Sequence, residues 1–508
     1  MRRLAALLLA GALALTLCAC GGEPVPTGGE PEASPSQTPA KAKEFSLAYD
    51  PNASLHPVTG DSQVNLTLAP LVFEGLYRLD EQFRPRPVLA RSAEGDDSGL
   101  VWTVTVDEGA KFSDGTPLTA AHVAASLNQA RNSSLYGGRL SQVASVRAVE
   151  GAVVITLTAP NGALPALLDI PVALEGENGL PLGTGRYRYA REGEELSLAA
   201  NEYHSGALPY DSIPLYPVTT AEERVAAFDS GAVTAVVTEP ASAYGLGYSC
   251  SYEGWDYATP RLLYVGFRAN GGPCASPEVR RAFSRAFDRA TVVKTLLAGH
   301  ADGTALPISP LHEEYDDGAA AELSYDMTAA AEALARAGYV RKEDGLLYSG
   351  RTALAVTLLV NSDNTARTAI ADLLAASLEE LGVTVTVSKL PWRDYLAALK
   401  AGKFDLYLGG TQLTGEFDLT ELLTGSLNYG GYASADLSAA LAAWKGAAGE
   451  ARIQAAKDLW DAFVREAPVA PLCFKRESLL VRWSVVDGLD PIWGDPFHGM
   501  EGWQPVME

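Results

Sequence analysis

Cysteine and histidine are scarce in this sequence, and it lacks both a basic block and an apolar run of membrane-spanning length. Beyond Cys18 and Cys20 only Cys250, Cys274 and Cys473 remain, an odd number without the close spacing of a zinc site. Two readings stay open for these three: a Cys250 to Cys274 disulfide, or buried free thiols in a chain large enough to fold without a staple. His56, His122, His204, His300, His312 and His498 include no His-Glu-x-x-His pair and form no cluster, so direct metal ligation has little support. No Gly-x-Ser-x-Gly elbow is present and no motif singles out a pair of carboxylates, which leaves a surface-anchored hydrolase as the weaker alternative. With a net charge of -23 and no basic block to offset it, the chain is unsuited to nucleic acid or anionic lipid.

What is present fits a soluble globular protein: 47% hydrophobic residues and 20% charged are ordinary values, and 508 residues suffice for two or three domains. Arg2 and Arg3 precede an apolar run over residues 4–17, shorter than the roughly 20 residues of a spanning helix. Residues 1–19 therefore read as an export signal. The run ends Leu17-Cys18-Ala19-Cys20-Gly21-Gly22, which resembles a bacterial lipobox and implies lipid attachment at Cys20. Residues 20–43 carry no aromatic and, apart from Val25, no large apolar residue, so they read as a flexible tether of about 25 Å.

The folded chain is organised around residues 101–129, VWTVTVDEGAKFSDGTPLTAAHVAASLNQ. Trp102, Val104 and Val106 alternate as a strand, Ser113 to Pro117 supply a compact loop, and Thr119 caps a helix with Val123 and Leu127 on one face. Glu150-Gly151 marks a hairpin between strands 143–149 and 153–157, and Thr220 with Glu223 forms a capping box for a helix ending at Gly231. Gly183-Thr184-Gly185 lacks the Lys-Ser/Thr ending of a phosphate loop and runs into a strand. Residues 353–360, 366–381 and 383–387 read as a strand, helix and strand, a right-handed βαβ unit with parallel strands. A helix over 392–399 and a strand over 404–408 follow. Ligands in open α/β sheets bind beyond the carboxyl ends of strands, which points to Gly409, Gly410, Thr411, Gln412 and Thr414: two glycines for close approach and three neutral hydrogen-bonding groups.

The 101–129 segment resembles the characteristic segment of the family 5 extracellular solute-binding proteins of ABC importers, the peptide, dipeptide and nickel binders. His122 stands where such proteins usually have an acidic residue, a departure that touches helix capping. RLLYVGFRAN at 261–270 and SPEVRRAFSRAFDRATVVKTLLAGHADGTALPISP at 276–310 make a second long match, and Val72-Phe73-Glu74-Gly75-Leu76 and Gly183-Thr184-Gly185-Arg186-Tyr187 are similar to further family segments. The resemblance implies a two-lobed, periplasmic-binding-protein-like α/β fold (class II, cluster C) of three domains with mixed sheets and a ligand cleft between lobes. Residues 44–60, 183–265 and 478–508 would form domain I, 61–182 domain II, and 266–477 domain III, the other lobe. It also implies that Asp61, Gln63, Tyr136, Trp392, Asn428, Tyr432 and Lys475 lie near ligand; core packing for Trp392 and surface charge for Lys475 are the structural alternatives. No cofactor, metal or catalytic residue is implied. The expected partners are a peptide or other small solute and the permease and ATPase subunits of an importer. The expected form is a monomer outside the cytoplasm, held to the membrane by its lipid alone.

Departures bear on the ligand. Peptide-binding relatives commonly carry an acid for the ligand's α-amine where this chain has Thr414, and some have arginines for the carboxylate where it has Leu399 and Leu408. Glu416 and Asp418 are the substitutes at hand for the acid. A site without charged partners disfavours a short zwitterionic peptide, because a desolvated charge without a partner is costly. A longer, modified or non-peptide solute, such as an oligosaccharide or metal chelate, is the alternative.

Overall fold

The computed structural model describes residues 42–176, 179–240 and 247–507. The expected signal, Cys20 and most of the tether lie outside the described residues. At the tether's end, Ala42 bridges Met507 and the Lys43 N–H donates to the Val506 carbonyl at 2.8 Å.

The alternation at Val101–Val106 produces a strand with Trp102, Val104 and Val106 buried. It pairs antiparallel with Ala90–Gly95 on one side and Ala152–Leu157 on the other, and Val143–Val149 completes a four-stranded sheet. The helix Ala120–Arg131 buries Val123 and Leu127 in the same core. His122 takes the role a glutamate has in a capping box: its Nδ1 accepts from the Thr119 N–H at 3.3 Å while the Thr119 hydroxyl accepts from the His122 N–H at 3.4 Å.

A second four-stranded sheet runs in the order Leu47–Tyr49, Ser212–Pro217, Glu195–Ala200, Tyr187–Glu192. The seven-stranded mixed sheet contains the βαβ unit: Ala355–Asn361 and Thr384–Leu390 pair in parallel, joined by the helix Thr365–Glu380 with Ile370, Leu374 and Leu378 buried. Gly382, at φ 88°, turns the chain out of that helix, where a side chain would be strained.

Two long antiparallel strands, Tyr252–Phe267 and Val469–Arg482, run through this sheet and tie two cores together. Leu479 and Val481 belong to the core of the second four-stranded sheet, whereas Leu263, Val265, Ala470 and Leu472 belong to the core around the βαβ unit. Their register shifts between Ala258 and Arg261, at Thr259 and Pro260, where the proline removes a ladder donor. The strand expected over 404–408 is observed at Leu406–Gln412, paired with Arg261 to Phe267. Glycine explains the extension: a Cβ on Gly409 would lie 2.7 Å from the Tyr264 ring and one on Gly410 2.5 Å from the Arg367 guanidinium, so the strand passes beneath both. Cys250, Cys274 and Cys473 are free thiols, the latter two buried. No helix among the described residues is long and apolar enough to cross a membrane.

Between the two halves the hairpin of Tyr77–Leu79 and Pro85–Pro87 inserts Phe83, whose ring meets Phe417 edge-on at 5.0 Å. Phe83 adopts φ 62° and is 2% exposed, so this tip is held by packing.

Candidate ligand-binding site

A cavity of about 1040 Å³ lies between the halves, lined by the helix Gln63–Val72 and its exit, the 135–142 and 411–422 segments, and residues around Arg186, Arg261 and Asp495. One wall is built by close approach. A Cβ on Gly183 would lie 1.9 Å from the Val72 carbonyl oxygen and one on Gly185 2.7 Å from the Val72 carbonyl carbon, so only glycines let this segment lie on the end of the helix. The Gly185 N–H donates to the Val72 carbonyl at 3.0 Å, which fixes Thr184 and Arg186 beside Glu74.

Arg186 Nη2 donates to Asp495 Oδ2 at 2.8 Å and its Nε to Glu501 Oε1 at 3.0 Å, while Arg78 reaches Asp495 at 3.5 Å. Burial alone would lower the Arg186 pKa, and the two carboxylates more than offset it. A hydrogen bond with His204, with Arg186 close by, holds Glu501 at about 2 against the opposing effect of burial. Glu74 is different. The Thr184 hydroxyl donates to its Oε2 at 2.8 Å, no ion pair reaches it among the described residues, and burial pushes its pKa up.

The opposite wall is the end of the strand Leu406–Gln412 and the turn after it. Thr414 Oγ1 accepts from the Asp418 N–H at 3.1 Å and the Thr414 carbonyl from the Phe417 N–H at 2.9 Å, with Phe417 at φ 58°. Neither acid near it is open. Glu416 is 5% exposed, accepts from Asn161 Nδ2 at 2.9 Å, and is raised to about 7 by burial and by Asp418. Asp418 pairs with Lys445 at 2.7 Å and accepts from the Thr420 hydroxyl at 2.6 Å. Leu399 and Leu408 are core residues. Elsewhere on the walls, Arg139 pairs with Asp169, and Arg261 reaches Glu477 at 2.7 Å and Glu239 at 3.2 Å. Burial brings the Arg139 pKa down to about 10, still a cation at neutral pH.

Of the residues singled out from the sequence, Gln63, Tyr136, Thr411, Gln412 and Thr414 line the cavity together. Asp61, Trp392, Gly410, Asn428, Tyr432 and Lys475 do not. Asp61 is exposed before the helix, and Gly410 faces Arg367. Trp392 is 52% exposed and stacks on Tyr395 with ring centroids 5.7 Å apart. Asn428 clamps its own loop, its Nδ2 donating to the Leu423 and Tyr432 carbonyls at 2.9 and 2.8 Å. Tyr432 is buried with the Arg280 guanidinium 5.7 Å from its ring, and Lys475 pairs with Glu239. Sequence reasoning passed over Glu74, Arg139, Arg186, Arg261, Asp495 and Glu501. Glu74, Arg186 and Arg261 lie within segments quoted for the family resemblance; nothing local marks Arg139, Asp495 and Glu501.

Two α/β lobes around a hydrogen-bonding cavity, tied by two continuous strands, define a two-lobed binding protein. A family model described as "Bacterial extracellular solute-binding proteins, family 5 Middle" matches residues 84–428. The glutathione-binding protein GsiB of Salmonella typhimurium is 27% identical over 409 residues, 74% of this chain and 76% of that one. Among solved structures, the oligopeptide-binding protein AppA from Bacillus subtilis in complex with a nonapeptide aligns with TM-score 0.60 at 21% identity, covering 92% of this chain and all of that one. The murein tripeptide-binding protein MppA in its unliganded open form aligns with TM-score 0.75 at 19% identity, covering 92% and 98%. The chain belongs to the family 5 bacterial extracellular solute-binding proteins.

Proposed function

We propose that this chain is the extracytoplasmic binding component of an ABC importer, taking a peptide or peptide-like solute between its lobes and handing it to the permease. The observation that carries this is the 1040 Å³ cavity walled by both halves, at the upper end of the range for small-molecule sites and suited to a solute of several residues. GsiB, AppA and MppA, named for glutathione, oligopeptide and murein tripeptide, support the peptide class. Contacts from both lobes favour the closed arrangement in proportion to their differential affinity, so the role is binding and needs no chemical step.

In this reading Gln63, Tyr136, Thr411, Gln412 and Thr414 contact the solute. Residues 1–19 direct export, Cys20 carries the lipid, residues 20–43 form the tether, and the protein works as a monomer with permease and ATPase subunits. Domain I takes residues 44–60, 183–265 and 478–508, domain II 61–182 and domain III 266–477. Native mass spectrometry of the tether-free protein, followed by thermal shifts against di- to octapeptides, sugars and nickel chelates, tests the proposal. A ligand at a hundredfold excess over Kd stabilises by about 2.7 kcal/mol, an easily read rise in melting temperature. A co-purified peptide mass with a matching shift supports the reading; a shift from sugars or chelates alone moves the substrate class.

A further inference from the structure

The charges around the cavity divide unevenly. Each of the four arginines that line it, Arg78, Arg139, Arg186 and Arg261, is already held by a carboxylate of the protein. Of the carboxylates that line it, Glu74, Glu416 and Glu421 are paired with no cation among the described residues. Glu74 accepts only from the Thr184 hydroxyl, Glu416 only from the Asn161 amide, and Glu421 from Ser426. Gln142 Oε1, a neutral acceptor on the same cavity, is buried without a donor.

An anionic ligand group would therefore have to displace an internal carboxylate from an arginine, and would leave that carboxylate buried and unpaired. A cationic group meets the reverse situation, since the wall already contains Glu74 and Glu416, carboxylates with no ion-pair partner among the described residues. We infer that the cleft selects solutes of net positive charge, with Glu74 as the specificity-determining residue that receives an ammonium or guanidinium group. This deepens the proposed function and rests on the cavity being the solute site.

Isothermal titration of the full chain with Lys-Lys-Ala, Gln-Gln-Ala and Glu-Glu-Ala, and with spermidine as a non-peptide cation, tests it. The lysine peptide binds more tightly than the glutamine peptide by about tenfold or more, and the glutamate peptide more weakly than both. Glu74→Gln, which matches the carboxylate in size and can still accept from Thr184, lowers affinity for the lysine peptide about tenfold and leaves the glutamine peptide within about twofold. Glu421→Gln, at the exposed edge of the cavity, provides the same comparison if Glu74→Gln lowers the melting temperature. Three peptides of equal affinity overturn the inference and leave the peptide reading standing. Binding of spermidine without any peptide overturns the peptide reading and upholds the charge selection. Failure of every cationic probe, or an unchanged lysine-peptide affinity in both variants, overturns the inference.

Discussion

The two walls of the cleft are built in different ways. One draws Arg186, Asp495 and Glu501 together across 309 and 315 positions of sequence, and its charges are spent on one another. The other is a single run, Thr411 to Thr414, that leaves a strand and enters a turn. The first wall is a structural assembly that also faces the ligand; the second is a short stretch whose side chains have few structural duties. Substitutions should separate them, with stability the main casualty at the first wall and binding at the second.

The largest effect is expected at Arg186. Arg186→Met removes the guanidinium between Asp495 and Glu501 and leaves Asp495, 4% exposed, with the 3.5 Å contact to Arg78 as its one ion pair among the described residues, beside the Phe497 N–H at 3.1 Å. Breaking a buried pair from one side costs about 3–5 kcal/mol, and urea denaturation should show a loss of that order. A loss below about 1 kcal/mol would place Arg186 among surface pairs and erase the contrast between the walls.

This difference also explains what the sequence revealed. The strand at Val101–Val106, the Thr119 cap and the βαβ unit were legible because each is encoded by neighbours at period 2, period 3.6 or cap spacing. The 411–414 wall was legible for a related reason: a strand end followed by polar residues is a local pattern. Its exact start was not, because Gly409 and Gly410 read as a loop until Tyr264 and Arg367 are seen against them. The assembled wall was illegible for a physical reason. A carboxylate such as Asp495 in a turn looks like any solvated acid until the fold brings Arg186 to it. Trp392, Asn428, Tyr432 and Lys475 show the converse, since residue types that suit a cleft are here used for stacking, loop clamping and ion pairing.

A smaller effect is expected where the second wall carries a buried acid. The Glu416 pKa rises from an ordinary 4.5 to about 7, through burial first and Asp418 second, against lowering contributions from Asn161, Arg452 and Lys445. The folded state therefore binds this proton more tightly than the unfolded chain. Between pH 4.5 and about 7 protonation favours folding, so this group's contribution to stability falls as pH rises through that window. Glu416→Gln should remove the dependence, and the difference between variant and wild type should change by on the order of 2 kcal/mol between pH 5 and pH 8. Parallel curves for the two proteins would show that Glu416 titrates normally and that its bond to Asn161 carries no protonation penalty.

The smallest effect on stability, and the sharpest test of the contrast, is at Gln412. Its side chain is exposed on the cavity, and its place in the ladder opposite Arg261 is made by backbone groups that alanine retains. Gln412→Ala should therefore change unfolding free energy by no more than about 0.5 kcal/mol. If the contiguous wall meets the solute, the same variant loses a hydrogen-bonding amide in the bound state. Affinity for the solute found by native mass spectrometry should then fall by roughly fivefold to tenfold, the worth of one such bond. An unchanged affinity with unchanged stability would mean that the run from Thr411 to Thr414 borders the cavity without serving it. Recognition would then rest on the assembled wall, where Glu74 is the group left unpaired.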